Sequence, residues 1–260
     1  MAVQTNLTKT DMDEITDVKK WLELQAPRVR NNVEIVDNSE GNGPELFHIT
    51  HDRDPGKFIP VIGHRQGYEE DRTVPRICVS TSFLGTVLGH SSFEYYFENL
   101  DLNRKDSRGI VYRGGFYLFE FEYTVAIKPS EKLVGDQKVS DEHWLVTYNK
   151  NTVQYKPVMI GKVVPVSLTT EFTGSKKPRV TVIYYVQMDK KIQFSKNKTI
   201  GPGCYKVVSP ASYQVESHRD DENIKITKVS ESEFEKIKKE VTVMESHENI
   251  LRRKAVYERW

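Results

Sequence analysis

Apolar side chains near the start of the chain recur at three- and four-residue steps, so Met12, Ile15, Val18, Trp21 and Leu22 share one face of a predicted helix. Asp11 and Glu14 have capping-box spacing, and Pro27 marks the stop. The polar, turn-rich run Asn38–Pro44 (NSEGNGP) reads as a linker. From Glu45 the pattern changes to short strands. Leu46–Thr50 and Ile77–Ser82 are compact runs bounded by loop signals, and a short helix is predicted over Phe83–His90. Val111–Ile127 is aromatic and β-rich, predicting two strands about Gly114-Gly115 or one bent strand. Trp144–Tyr148 and Val158–Val166 complete this stretch.

Beyond the polar segment Thr169–Pro178, Arg179–Met188 and Lys191–Ile200 predict a hairpin about Asp189-Lys190. Tyr205–Val208 and Ile224–Val229 add strands. Ser230 then caps a last helix with Glu233 as reciprocal partner, its stripe formed by Phe234, Ile237, Val241, Met244 and Leu251. Arg252, Arg253 and Lys254 suit that helix's negative end. The expected organisation is a helical arm and linker over 1–44, a core over 45–168 and a hairpin-and-helix module over 169–260.

Composition narrows the classes. Hydrophobic residues make up 37% of the 260 and aromatics 10%, enough apolar surface for a packed core. The 38 basic residues against 37 acidic ones leave a net charge of +1, so no global field draws the chain to nucleic acid or an anionic membrane. Nucleic-acid binding through Arg252-Arg253-Lys254 or Lys176-Lys177 ranks last, because those charges fit a helix end and a solvated linker. No apolar run reaches about 18 residues and Met1–Thr10 is polar, so a cytoplasmic protein without membrane contact is expected. Cys78 and Cys204 match no zinc or redox spacing, and the seven histidines show no metal-ligand pattern. P-loop, GxGxxG, GxSxG and HExxH signatures are absent.

Three short elements carry candidate chemistry. Leu46-Phe47-His48-Ile49-Thr50 sets an imidazole on a strand, where it can accept or donate a hydrogen bond without burying charge. Val79-Ser80-Thr81-Ser82 is a hydroxyl-bearing strand ahead of a helix. Asp141-Glu142-His143 leads into the apolar run Trp144-Leu145-Val146, about 60 residues further on. In this order the elements resemble the ADP-ribosyltransferase superfamily over residues 45–168. The resemblance implies an α+β fold, a mixed but mainly antiparallel β core with peripheral helices. It also implies NAD as the bound nucleotide, with His48, Thr50, Arg65, Ser80, Thr81 and Ser82 contacting it. Glu142 and His48 would be catalytic, the carboxylate holding the ribose 2′-hydroxyl and steadying the cationic sugar as nicotinamide leaves.

The histidine and the S-T-S strand belong to different branches of that superfamily. No single arginine takes the anchoring role, since Arg65, Arg72 and Arg76 all fall between the first two elements. The segment also looks like short proteins carried by bacteriophages and bacteria. That makes a second function class natural: a non-catalytic interaction protein that masks a host protein or sequesters a nucleotide.

Overall fold

The computed structural model describes residues 9–50, 53, 55–62, 70–89, 115–135, 137–148, 155–171, 179–210 and 223–241. Its elements are α1 (Lys9–Glu23), α2 (Pro27–Arg30), β1 (Val33–Asp37), β2 (Leu46–Thr50), β3 (Arg76–Ser80), α3 (Phe83–Leu88), β4 (Phe116–Phe121), β5 (Val125–Pro129), α4 (Gln137–Ser140), β6 (Glu142–Val146), β7 (Pro157–Glu171), β8 (Arg179–Met188), β9 (Ile192–Ser195), β10 (Lys198–Ile200), β11 (Gly203–Pro210) and β12 (Lys225–Val229). Residues 231–241 form a further helix, α5. The fold is α+β and mainly β, with antiparallel pairing throughout the registers described here. Among the described residues no helix is long and apolar enough to cross a membrane.

Two compact units divide the chain, the first comprising residues 1–48, 54–86 and 119–158. Its strands neighbour one another in the order β1-β5-β6-β3-β2. The segment expected to be a separate arm is built into this unit: β1 pairs along its whole length with β5, from Val33↔Pro129 to Asp37↔Val125. Ile15 and Val18 of α1 pack into one core cluster with Val125, Ile127, Leu133, Trp144 and Val146. An amphipathic helix must bury its stripe somewhere, and here the sheet supplies the partner surface. The helix also starts earlier than expected, so Asp11 lies inside it rather than capping it. Pro27 does not end α1 but opens α2 at its first turn, where a missing N–H has no consequence.

The second unit comprises residues 49–53, 87–118 and 159–260. Its strands neighbour one another in the order β7-β8-β11-β12. The expected pairing of 179–188 with 191–200 is replaced: β8 pairs with β7 and β11, while β9 and β10 make their own small hairpin. The sharp turn at Lys196-Asn197 consumes the second half of that run locally. Pro165 is accommodated where the β7–β8 register shifts. At α5, Ser230 Oγ accepts from the Glu233 amide at 3.2 Å, which is half of a capping box. The Glu233 carboxylate instead accepts from the Tyr185 hydroxyl at 3.3 Å. Phe234 and Val241 are buried as their spacing predicts, and residues beyond 241, including Met244 and Leu251, lie outside the described ones.

Candidate functional site

The three motif-bearing strands are immediate neighbours in the first unit, in the order β6-β3-β2. Register then decides which side chains meet. Ser80 pairs with Glu142 on one side and Phe47 on the other, and Cys78 pairs with Trp144. Directly paired residues share a face and successive residues alternate. Arg76, Cys78, Ser80, Glu142 and Trp144 therefore lie on one face, the side on which α1 packs against Trp144. His48 follows Phe47 and so lies on the opposite face, in the row of Val79 and His143. That row continues to Lys128 of β5 and Glu34 of β1. The structure brings Ser80 and Glu142 together and sets His48 on the other side.

Glu142 is held by its own face. Its Oε1 accepts from the Trp144 indole N–H at 2.6 Å and lies 3.8 Å from Arg76 Nε. Arg76 is buried, its guanidinium 4.5 Å over the Trp144 ring, with Nη1 donating to the carbonyls of Asp71 at 2.8 Å and Val74 at 3.2 Å. The turn that aims it is local: Asp71 Oδ1 accepts from the amides of Thr73 at 2.8 Å and Val74 at 3.0 Å. Cys78 is solvent-exposed on this face. Although the residue keeps accessible surface, the protein atoms crowded around its sulfur strip water from the thiolate, and this desolvation, then the nearby Glu142 charge, pushes the thiol well above the usual cysteine range.

The hydroxyls of the S-T-S element grip the turn that precedes β6. Ser80, buried, donates to the Ser140 carbonyl at 2.6 Å. Thr81 donates to Asp141 Oδ2. Ser82 lies just past the strand, and its Oγ accepts from the Gly85 amide at 3.1 Å, capping α3. Glycine is required at 85, because a Cβ there would stand 2.3 Å from Ser80 Oγ and 2.4 Å from the Ser140 carbonyl oxygen. β3 ends at Ser80, two residues short of the expected Ser82, and α3 begins at Phe83.

On the opposite face, the half-buried His48 donates from Nδ1 to the Cys78 carbonyl at 2.9 Å, which leaves Nε2 as an acceptor. Phe58 and Phe121 present edges to the ring at centroid distances of 5.2 and 6.3 Å. Burial holds this imidazole below the usual histidine range, against the pull of its carbonyl bond. Thr50 ends β2 and belongs to the second unit. Arg65 lies outside the described residues. Arg72 is exposed.

A polar cluster that the motif reading passed over sits on the His48 face. Asp141 has a left-handed backbone (φ 44°), and its Oδ1 lies 3.2 Å from Lys128 Nζ. His143, 2% exposed, donates from Nδ1 to the Asp141 carbonyl at 2.9 Å. Burial raises the Asp141 carboxyl, but the Thr81 hydroxyl and the Lys128 charge outweigh it and hold the group below the usual carboxylate range. Burial also holds His143 below the histidine range, with the bond to Asp141 opposing. The signal for this cluster was the triplet Asp141-Glu142-His143 itself, because a two-residue period sends its middle member to the other side. Starting the strand at Trp144 hid that alternation.

Among the described residues no group of His, Cys, Asp and Glu is arranged to hold a metal ion. Comparison with protein-family models, with curated proteins and with solved structures finds no match.

Proposed function

We propose that the protein is an ADP-ribosyltransferase-like enzyme that takes NAD against the sheet face bearing His48, Thr81, Asp141 and His143. The reading is supported chiefly by one observation: the three strands bearing the motifs are adjacent, and one face offers both an imidazole acceptor and an ionised carboxylate. Asp141 takes the acid role in place of Glu142, whose carboxylate is engaged by Trp144 and Arg76 on the far side. In this role Asp141 accepts the ribose 2′-hydroxyl and steadies the cationic sugar while the C1′–nicotinamide bond breaks. The bonding electrons leave with the nicotinamide ring nitrogen. An acceptor atom then adds to C1′ and loses its proton. His48 Nε2 accepts from a ribose hydroxyl.

Thermal stabilisation by NAD and ADP-ribose, followed by nicotinamide release from NAD, tests this reading. Asp141→Asn and His48→Ala should lose turnover, whereas Glu142→Gln, if it folds, should keep it. No stabilisation and no release in the wild-type chain would end the proposal.

The engagement of Glu142 favours a second reading, a non-catalytic protein that masks a host protein or sequesters a nucleotide. Nucleotide binding without turnover supports the sequestering form. A host-protein complex unaffected by His48→Ala and Asp141→Asn supports the masking form.

A further inference from the structure

Lys128 has a place on this face that stability alone does not explain. It lies across from Glu34 on β1, and the Ile127↔Trp144 pairing sets it beside His143 on β6. Its ammonium reaches Asp141 Oδ1 at 3.2 Å, with 40% of the Lys128 side chain and 25% of the Asp141 side chain exposed. An ion pair this open to water contributes little to folding. Its geometry nonetheless restricts the carboxylate, because Thr81 holds Oδ2 while Lys128 holds Oδ1. Two donors on different oxygens fix the plane of the group and oppose its rotation. Asp141 itself has a left-handed backbone, at the residue that leads from α4 into β6.

We propose that Lys128 is a positioning residue for Asp141, holding its carboxylate charged and oriented toward the ligand side of the sheet. The inference rests on the reading that Asp141 is the acid of the site. The ammonium acts through the carboxylate, and no atom passes from it to the ligand. Neighbouring charges are Glu34 from β1, Asp141 from the turn before β6, and His143 from β6, which is uncharged near neutral pH.

The test uses the full chain as wild type, Lys128→Met, Lys128→Gln and Lys128→Arg, with two readouts. Carboxyl carbon NMR follows the titration of Asp141 without any ligand. Nicotinamide release from NAD, measured across pH, follows the acid limb of turnover. In Lys128→Met and Lys128→Gln the Asp141 titration and the acid limb should both move up by about one pH unit. Lys128→Arg should restore them, and melting temperatures should stay close to wild type. An Asp141 titration that does not move in Lys128→Met or Lys128→Gln overturns the inference. So does an acid limb that coincides with wild type while NAD is turned over, and in that case the NAD reading survives. A moved titration with no NAD turnover in any chain shows the ion pair alone, and removes both the NAD reading and the positioning role that rests on it.

Discussion

Glu142 and Trp144 stand two residues apart on β6, and the indole N–H of Trp144 donates to the Glu142 carboxylate at 2.6 Å. With Arg76 over the same indole, the carboxylate closes a buried set of charges rather than facing a ligand. Removing one member of such a set leaves the other uncompensated. Glu142→Ala should destabilise the chain by about 3 kcal/mol in urea unfolding. A loss below about 1 kcal/mol would show that Glu142 is not structural.

Gly85 tests the grip of the S-T-S element. Its missing Cβ leaves room for Ser80 Oγ and the Ser140 carbonyl oxygen, at 2.3 and 2.4 Å from where that carbon would be. Gly85→Ala should cost about 1–3 kcal/mol through overpacking. Removing the serine hydroxyl as well, in Ser80→Ala/Gly85→Ala, should recover only part of the loss, because the carbonyl oxygen stays. Chemical denaturation of the three variants checks the non-additivity.

Acid should weaken the fold through its histidines before its carboxylates. His48 and His143 are held below the ordinary value of 6.5, so near that pH the unfolded chain binds more protons than the folded one. Stability therefore falls as pH drops from about 7 through the ordinary histidine value, and levels off below the folded-state values. Asp141, held below the usual carboxylate range, adds a loss at lower pH, as it is protonated in the folded state. Melting temperatures between pH 8 and 5 should show the first decline, and His143→Gln should flatten it. A pH-independent melting temperature over that range would contradict the burial of both rings.

The cysteines should react in a fixed order. Cys78 is exposed and Cys204 buried, so a thiol reagent should label Cys78 first in the native chain. Because desolvation of its thiolate by crowded protein atoms, and then the Glu142 charge, raise the Cys78 thiol well above the usual range, labelling at pH 8 should run at least roughly tenfold slower than for free cysteine. Mass spectrometry of the labelled peptides settles the order, and equal labelling of both would count against the described environment of Cys78.

Much of the fold could be read from side-chain periodicity. Leu46–Thr50 is the strand it was expected to be, and Phe83 starts the helix after the S-T-S element. The apolar stripe of the last helix is buried at Phe234 and Val241. What periodicity could not supply was long-range pairing. Residues 191–200 look like one strand, but a local turn folds them on themselves and hands β8 to β7 and β11. The helix at the start of the chain looked like an arm because its partner, the face carrying Ile127 and Trp144, lies over a hundred residues away. For the candidate site, the residue types picked out three strands that lie side by side, but which carboxylate shares a face with His48 depended on whether β6 starts at Glu142 or Trp144. Asp141, bound by Thr81 from 60 residues away, becomes visible only once β3 and β6 are side by side.

The alternation along β6 makes the register of that one strand decide which side chains share a face. Sliding that strand by a single position against β3 would carry Glu142 round to the histidine side and drive His143 into the indole's place beneath α1. A one-codon insertion or deletion near residues 137–141 would thus exchange an acid, a base and an aromatic at once, and the burial of Trp144 and Val146 against α1 is what opposes such a shift.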